Sequence, residues 1–138
     1  MNKQIRFRVY NKKTKQWIHG PKYEVSLFGE MILLGGFMRS VSILDLNDCE
    51  PLEYTGLTDK NGKEIYEGDI VKTIYVNDPV NDIGNIIYHV ETGAYRIKTS
   101  KHLLPIVTYR FIEDKPQGLL QVADEIIGNI FENPELLK

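Results

Sequence analysis

Between Tyr54 and Val71 the chain reads YTGLTDKNGKEIYEGDIV, and no other stretch restricts the backbone as tightly. Gly56, Asp59, Asn61, Gly62, Gly68 and Asp69 are turn formers set among apolar positions. Asn61-Gly62 is the strongest of these signals. Both residues tolerate positive φ, so the pair predicts a tight type I′ turn with Gly62 at positive φ. Asp59 has a carboxylate placed to accept N–H groups ahead of it and pre-shape that turn. Glu67-Gly68-Asp69 predicts a second corner, from which Ile70 to Val76 leaves as a β-branched strand. The run specifies a shape and assembles no catalytic group, which points to a structural or interaction module.

The flanking sequence is also patterned for strands. Ile5, Phe7 and Val9 alternate with Gln4, Arg6 and Arg8, the period of a half-buried strand. The polar run Asn11 to Gln16 turns the chain, and Trp17-Ile18 starts the return of a hairpin with a basic outer face and tip. Tyr23 to Phe28 reads as a strand or a short helix and Val41 to Leu44 as a short strand, on either side of an apolar segment, Gly29 to Met38, broken at Gly35-Gly36. Asp45 to Pro51 reads as an acidic loop. Further on, Asn85 to Val90, Ala94 to Lys98 and Ile106 to Ile112 are strand candidates. The stretch 77–83, Thr92-Gly93, His102 to Pro105 and Lys115 to Gly118 read as the connections between them. At the tail, Asn133 suits a helix N-cap, Pro134 the first helical position and Glu135 the dipole, giving one helical turn. Short strands with frequent turn signals predict an antiparallel barrel or sandwich.

At 138 residues the chain is the size of one domain and long enough to bury a core. Its apolar stretches fall short of the ~18 residues that cross a bilayer, so no membrane role is expected. The start, Met1-Asn2-Lys3-Gln4, lacks the apolar core of a secretion signal, and the single Cys49 makes no internal disulfide; a cytoplasmic protein is expected. Net charge is −2 but uneven. Lys3, Arg6, Arg8, Lys12, Lys13, Lys15 and Lys22 crowd the head against Glu24 alone, while acids dominate from residue 111 onward. Head and tail are thus able to attract one another within or between subunits, the head to follow a phosphate backbone, or both to be solvated surfaces.

The acidic cluster Asp59, Asn61, Glu64, Glu67 and Asp69 invites a metal reading. Its spacing is wrong for a calcium loop: the glycine comes too early and no closing bidentate Glu follows. No metal and no cofactor are expected. His19, His89 and His102 stand in no ligand spacing with each other or with Cys49, no serine sits in a Gly-x-Ser-x-Gly context, and Gly35-Gly36 lacks the Lys-Ser/Thr of a phosphate loop. Glu113-x-Lys115 has a spacing used by metal-dependent nucleases but no upstream acid to complete it. The chain is therefore expected not to be an enzyme. Arg6, Arg8, Lys12, Lys13 and Lys15, beside Tyr10 and Trp17, do combine phosphate-seeking charge with stacking surfaces, the composition of a nucleic-acid contact. Against that stands an isoelectric point near 5.9.

The central run, together with the ending EIIGNIFENPELL and the opening IRFRVYNKKTKQWI, closely resembles the YopX family, small proteins of bacteriophages and prophages. The likeness spans start, middle and end, so it places residues 1–138 as one YopX-like domain. Tyr10 departs from it, because the family opening often has Trp there; the segments 25–44 and 77–83 match no motif of the family. The resemblance implies a mainly β fold, a small SH3-like barrel (51–138) with an N-terminal β-hairpin extension (1–50) and a short C-terminal helical turn. It implies no biochemical activity and hence no catalytic residues. The expected function is a non-enzymatic interaction or assembly module, a homo-oligomer or one docking on a phage or host protein. The apolar segment 25–44, the charge asymmetry and strand edges needing cover support this reading. The alternative is nucleic-acid binding through Arg6, Arg8, Lys12, Lys13, Lys15 and Trp17.

Overall fold

The alternation at the start of the chain folds as strand β1 (Phe7–Asn11), which returns antiparallel through β2 (Gln16–Ile18), with Val9 opposite Ile18 and Tyr10 opposite Trp17. The computed structural model describes residues 6–18, 22–25, 31–34, 41–44, 48–75 and 78–137. Its contacts divide it at Tyr54/Thr55 into two units. In the first unit, Asn11 Oδ1 accepts the N–H groups of Lys13 (2.9 Å) and Thr14 (3.0 Å), and Lys15 at φ 58° brings the hairpin back. Strands β3 (Lys22–Val25), β4 (Met31–Leu34) and β5 (Val41–Leu44) form an antiparallel meander centred on β4. Strand β6 (Cys49–Thr58) then pairs with the free side of β1, Val9 opposite Pro51. Val9 and Cys49 are buried there, with Phe7 and Ile18 packed against them.

In the second unit β6 continues beside β7 (Glu64–Tyr66). Next come β8 (Asp69–Tyr75), β9 (Asp78–His89), β10 (Ala94–Lys98), β11 (Leu103–Pro105), β12 (Val107–Ile112), β13 (Lys115–Gln121) and β14 (Ala123–Asn129). A five-stranded sheet runs β11-β10-β9-β8-β14, while among the described residues β12 and β13 pair only with each other. Bulges at 78–82 of β9, opposite Thr73 to Tyr75, and at 123–125 and 126–128 of β14 steepen the local twist, and the sheet curls into a half-barrel. Ile65, Val71, Ile86, Ile97, Leu104 and Ile106 fill its concave side, closed by Val122 and Ala123. A single 3₁₀ turn, Pro134–Leu137, ends the described chain. The mainly β, SH3-like architecture with its N-terminal hairpin and short C-terminal turn is thus present.

Several local expectations are corrected. The 59–63 turn is not type I′, because Asn61 is not at positive φ. Instead Gly62 N–H bonds to Asp59 O (3.0 Å), Asp59 N–H bonds to Lys63 O (2.8 Å), and Gly62 at φ 80° follows a type I-like turn as a bulge. The two-residue positive-φ turn lies at Glu113 (φ 50°) and Asp114 (φ 61°), joining Ile112 to Lys115. Lys115 to Gly118 is therefore strand; Pro116 is accommodated because the hairpin is two-stranded and leaves β13 a free edge. The supposed loop 77–83 is strand from Asp78 on, since β8 offers it a partner as far as Tyr75. Cys49 to Pro51 belongs to β6, held by β1 from far earlier in the chain, and Leu103 to Pro105 belongs to β11, held by the preceding strand β10. Residues 26–28, Gly35-Gly36, 45–47 and Asn77 lie outside the described residues.

Candidate functional site

The basic hairpin carries its two arginines against aromatic rings and its three lysines away from them. Arg8 lies over Trp17, with 4.5 Å from guanidinium carbon to ring centroid, and Arg6 lies over Tyr54 at 4.6 Å. Trp17 also meets Tyr10 edge to face, centroids 5.0 Å apart at 70°. These contacts follow from register: Tyr10 is paired with Trp17, and Arg8, two residues away on β1, shares that face. Lys12 Nζ stands 3.7 Å from Glu50, an exposed pair worth little. Lys13 and Lys15 are exposed at the tip, without an ion pair among the described residues. Of the six candidate contacts, Arg6, Arg8 and Trp17 are thus engaged on protein rings, and the tip lysines face water.

The turn motif spends its carboxylates on backbone. Asp59 is 5% exposed, and its Oδ1 accepts N–H from Asn61 (2.9 Å) and Lys63 (2.9 Å). Its Oδ2 accepts the N–H of Ile126 on β14 (3.1 Å). Burial pushes this carboxyl up, yet the three backbone donors, with the nearby Lys63 charge, hold it below the usual aspartate range. Lys60 extends the clamp: its N–H bonds to Asp124 O (3.0 Å) and its Nζ to Asp124 Oδ2 (3.1 Å), with Glu125 at 3.8 Å. The hydrogen bond to Asp124 and the two carboxylate charges raise its pKa. At the second corner Asp69 accepts Tyr66 N–H (2.8 Å). Gly68, at φ 86°, gives its N–H to Ile86 O and its carbonyl to Ile130 N–H, both 2.9 Å. Gly56 also holds a positive φ (89°) within β6. The motif ties β6, β7, β9 and β14 together. Among the described residues, no group of three His, Cys, Asp or Glu is arranged to hold a metal ion.

Two further features lie in the second unit. The first is a cleft along β9 and β10, in two lobes of about 580 and 420 Å³ that share Ile87, Lys98, Thr99 and Ser100. Ile83, Asn85, Ile87 and His89, alternate residues of β9, line it, with Lys101, His102 and Leu103 beyond Lys98 and Leu136-Leu137 at the other end. The second is the β12–β13 hairpin. Val122 roots it, donating to Ile106 O (2.8 Å) and accepting from Ile74 N–H (3.0 Å). Gln121 Nε2 adds bonds to Thr58 O (2.6 Å) and Ala123 O (2.8 Å). Toward its tip residues 112–119 are exposed, with Leu119 71% and Ile112 51% accessible.

The family model described as YopX protein matches residues 6–138. This chain belongs to the YopX family. The crystal structure of protein EF1440 from Enterococcus faecalis is similar to it at 23% identity, covering 99% of this chain and 100% of that one, with a TM-score of 0.56. The crystal structure of protein yopX from Bacillus subtilis is similar at 19% identity, covering 96% and 95%, with a TM-score of 0.58. At these identities the likeness is one of fold. No curated protein matches the sequence. Among the described residues no helix is long and apolar enough to cross a membrane.

The YopX-family motif residues thus serve the architecture, and the features open to a partner lie elsewhere. The cleft is assembled from residues 83–89 and 98–103, brought together by the β9–β10 pairing, with 136–137 beside them. His89 and His102, unrelated by spacing, line the same lobe. In the sequence the apolar pair Leu119-Leu120 marks the second strand of the hairpin, but the turn chemistry of Pro116 and Gly118 obscures it.

Proposed function

We propose that this YopX-family chain is a non-enzymatic interaction module that assembles with copies of itself through the β12–β13 hairpin. The observation carrying this reading is that hairpin's surface. Among the described residues no third strand extends it, and Ile112 and Leu119 stand exposed along it. A two-stranded ribbon is marginal in water on its own, and exposed apolar groups on an unpaired edge ask for cover. Burying both side chains would contribute about 2 kcal/mol each. The absence of an enzymatic role is supported by Asp59 and Asp69, whose carboxylates are occupied by backbone donors. Protein association is favoured over nucleic-acid binding because the Arg6 and Arg8 guanidiniums lie over Tyr54 and Trp17, so within the N-terminal hairpin a phosphate contact is left to the lysines.

Light scattering across a concentration series tests the reading. The wild type is expected to self-associate, and Leu119→Asp to weaken that association at unchanged melting temperature. A wild type that stays monomeric throughout, or a Leu119→Asp variant that assembles normally, overturns it.

A further inference from the structure

We infer that the surface receiving the β12–β13 hairpin is the β9–β10 cleft of a second copy. This rests on the hairpin reading above and names its partner surface. The cleft has an apolar floor, Ile83, Ile87 and Leu103, and a cationic side formed by Lys98 and Lys101, with the polar rings of His89 and His102 beside them. Both lysines are exposed and have no ion pair among the described residues; the acid in the lining, Asp82, sits in the lobe away from Lys101. The hairpin has the complementary chemistry. Leu119 and, on the opposite face of the ribbon, Ile112 are exposed along it, and Glu113 and Asp114 form its apex. Lys115 follows them, opposite Ile112, so the two carboxylates lead.

The dimensions agree as well. Strand β13 has seven residues, and Ile83 to His89 is seven residues of β9, about 20 Å in each case. A two-residue turn makes the apex narrow. Among the described residues no Phe, Tyr or Trp lines either lobe, and the aromatic rings there are the two imidazoles of His89 and His102. Hairpin and cleft are different surfaces of one chain. Reciprocal exchange would close a two-fold dimer, and one-way insertion a ring or a filament.

The test compares four samples of the full chain by light scattering: wild type, Glu113→Lys/Asp114→Lys, Lys98→Glu/Lys101→Glu, and the two variants mixed. Lysine is acceptable at the apex, since Lys15 already holds φ 58° in this chain. Melting curves check that each variant folds. Each charge reversal alone is expected to weaken association at least tenfold. The equimolar mixture, in which opposite charges meet again, is expected to restore it. Assembly that ignores both reversals yet is lost in Leu119→Asp overturns the cleft assignment and leaves the hairpin reading standing. A monomeric wild type overturns both. Oligonucleotide binding that disappears in Lys98→Glu/Lys101→Glu, with the oligomer unchanged, assigns the cleft to nucleic acid and likewise overturns the inference.

Discussion

Replacing Asp59 tests whether the turn motif is an architectural clamp. Its carboxylate accepts three backbone N–H groups, two local and one from Ile126, across 67 residues of sequence. Asn61 and Lys63 are exposed, so water replaces the carboxylate there at modest cost, whereas the Ile126 N–H is partly buried. A hydrogen bond to a charged group is worth about 1.5–3 kcal/mol net, and a stranded buried donor costs about 1–3 kcal/mol. Asp59→Ala should therefore cost about 3 kcal/mol. In Asp59→Asn the amide oxygen can still serve Asn61 and Lys63, but the amide nitrogen then faces the Ile126 N–H, donor against donor. About 2 kcal/mol should be lost.

Urea unfolding measures the totals: at a slope of about 1.5 kcal/mol/M, Asp59→Ala moves the midpoint down by about 2 M. Amide exchange gives the local reading, since a 2 kcal/mol loss speeds exchange at Ile126 by roughly thirty-fold. The pH dependence has a fixed sign. Asp59 is held below its ordinary value, so its contribution is full above the unfolded aspartate range, about pH 4, and fades as pH falls through the depressed folded value. Asp59→Asn should remove that part of the acid sensitivity. A variant within 0.5 kcal/mol of wild type, with Ile126 still protected, would refute the clamp.

Two glycines should respond for opposite reasons. At Gly62 (φ 80°) a Cβ would meet nothing within 4 Å, so Gly62→Val is strained only by its backbone and should lower stability by about 2 kcal/mol, with Gly62→Asn far milder; equal melting temperatures for the two would contradict this. At Gly84 a Cβ would stand 2.7 Å from Lys98 O and 2.8 Å from Cγ2 of Ile97, so even Gly84→Ala should cost about 3 kcal/mol in urea unfolding.

What could be read in advance was local chemistry. Asp59, Gly62, Gly68 and Asp69 act within a few residues of themselves, and the corners they form lie where their side chains predict. The same locality misled at Asn81-Asp82 and Pro116-Gly118. There, turn-forming residues lie in strands, because hairpin pairing with β8 and β12 outweighs their own local preference. Even at Asn61 the turn was placed correctly and its type was not: the Asp59 carboxylate favours a turn with negative φ at Asn61, leaving Gly62 alone to bend left-handed. The engagement of Arg6 and Arg8 with rings required the β1–β2–β6 register. The cleft required the β9–β10 pairing and so left no trace in spacing.

The apex at Glu113-Asp114 raises a question of choice. A tight turn with two positive-φ residues is most cheaply made by Asn-Gly, a pair this chain uses at 61–62, where only one positive φ is needed. Holding two non-glycine residues left-handed costs about 1 kcal/mol or more. Since neither side chain is buried, packing does not compensate for that cost. Their carboxylates are the remaining property, and these are what a cationic cleft would recognise. Glu113→Asn/Asp114→Gly should therefore raise thermal stability by about 1 kcal/mol, through relief of the backbone alone. The same variant should weaken self-association in light scattering, because both charges are gone while Ile112 and Leu119 remain. A more stable protein that assembles as well as wild type would mean the carboxylates recognise nothing; a less stable one would mean the strain assignment at the apex is wrong.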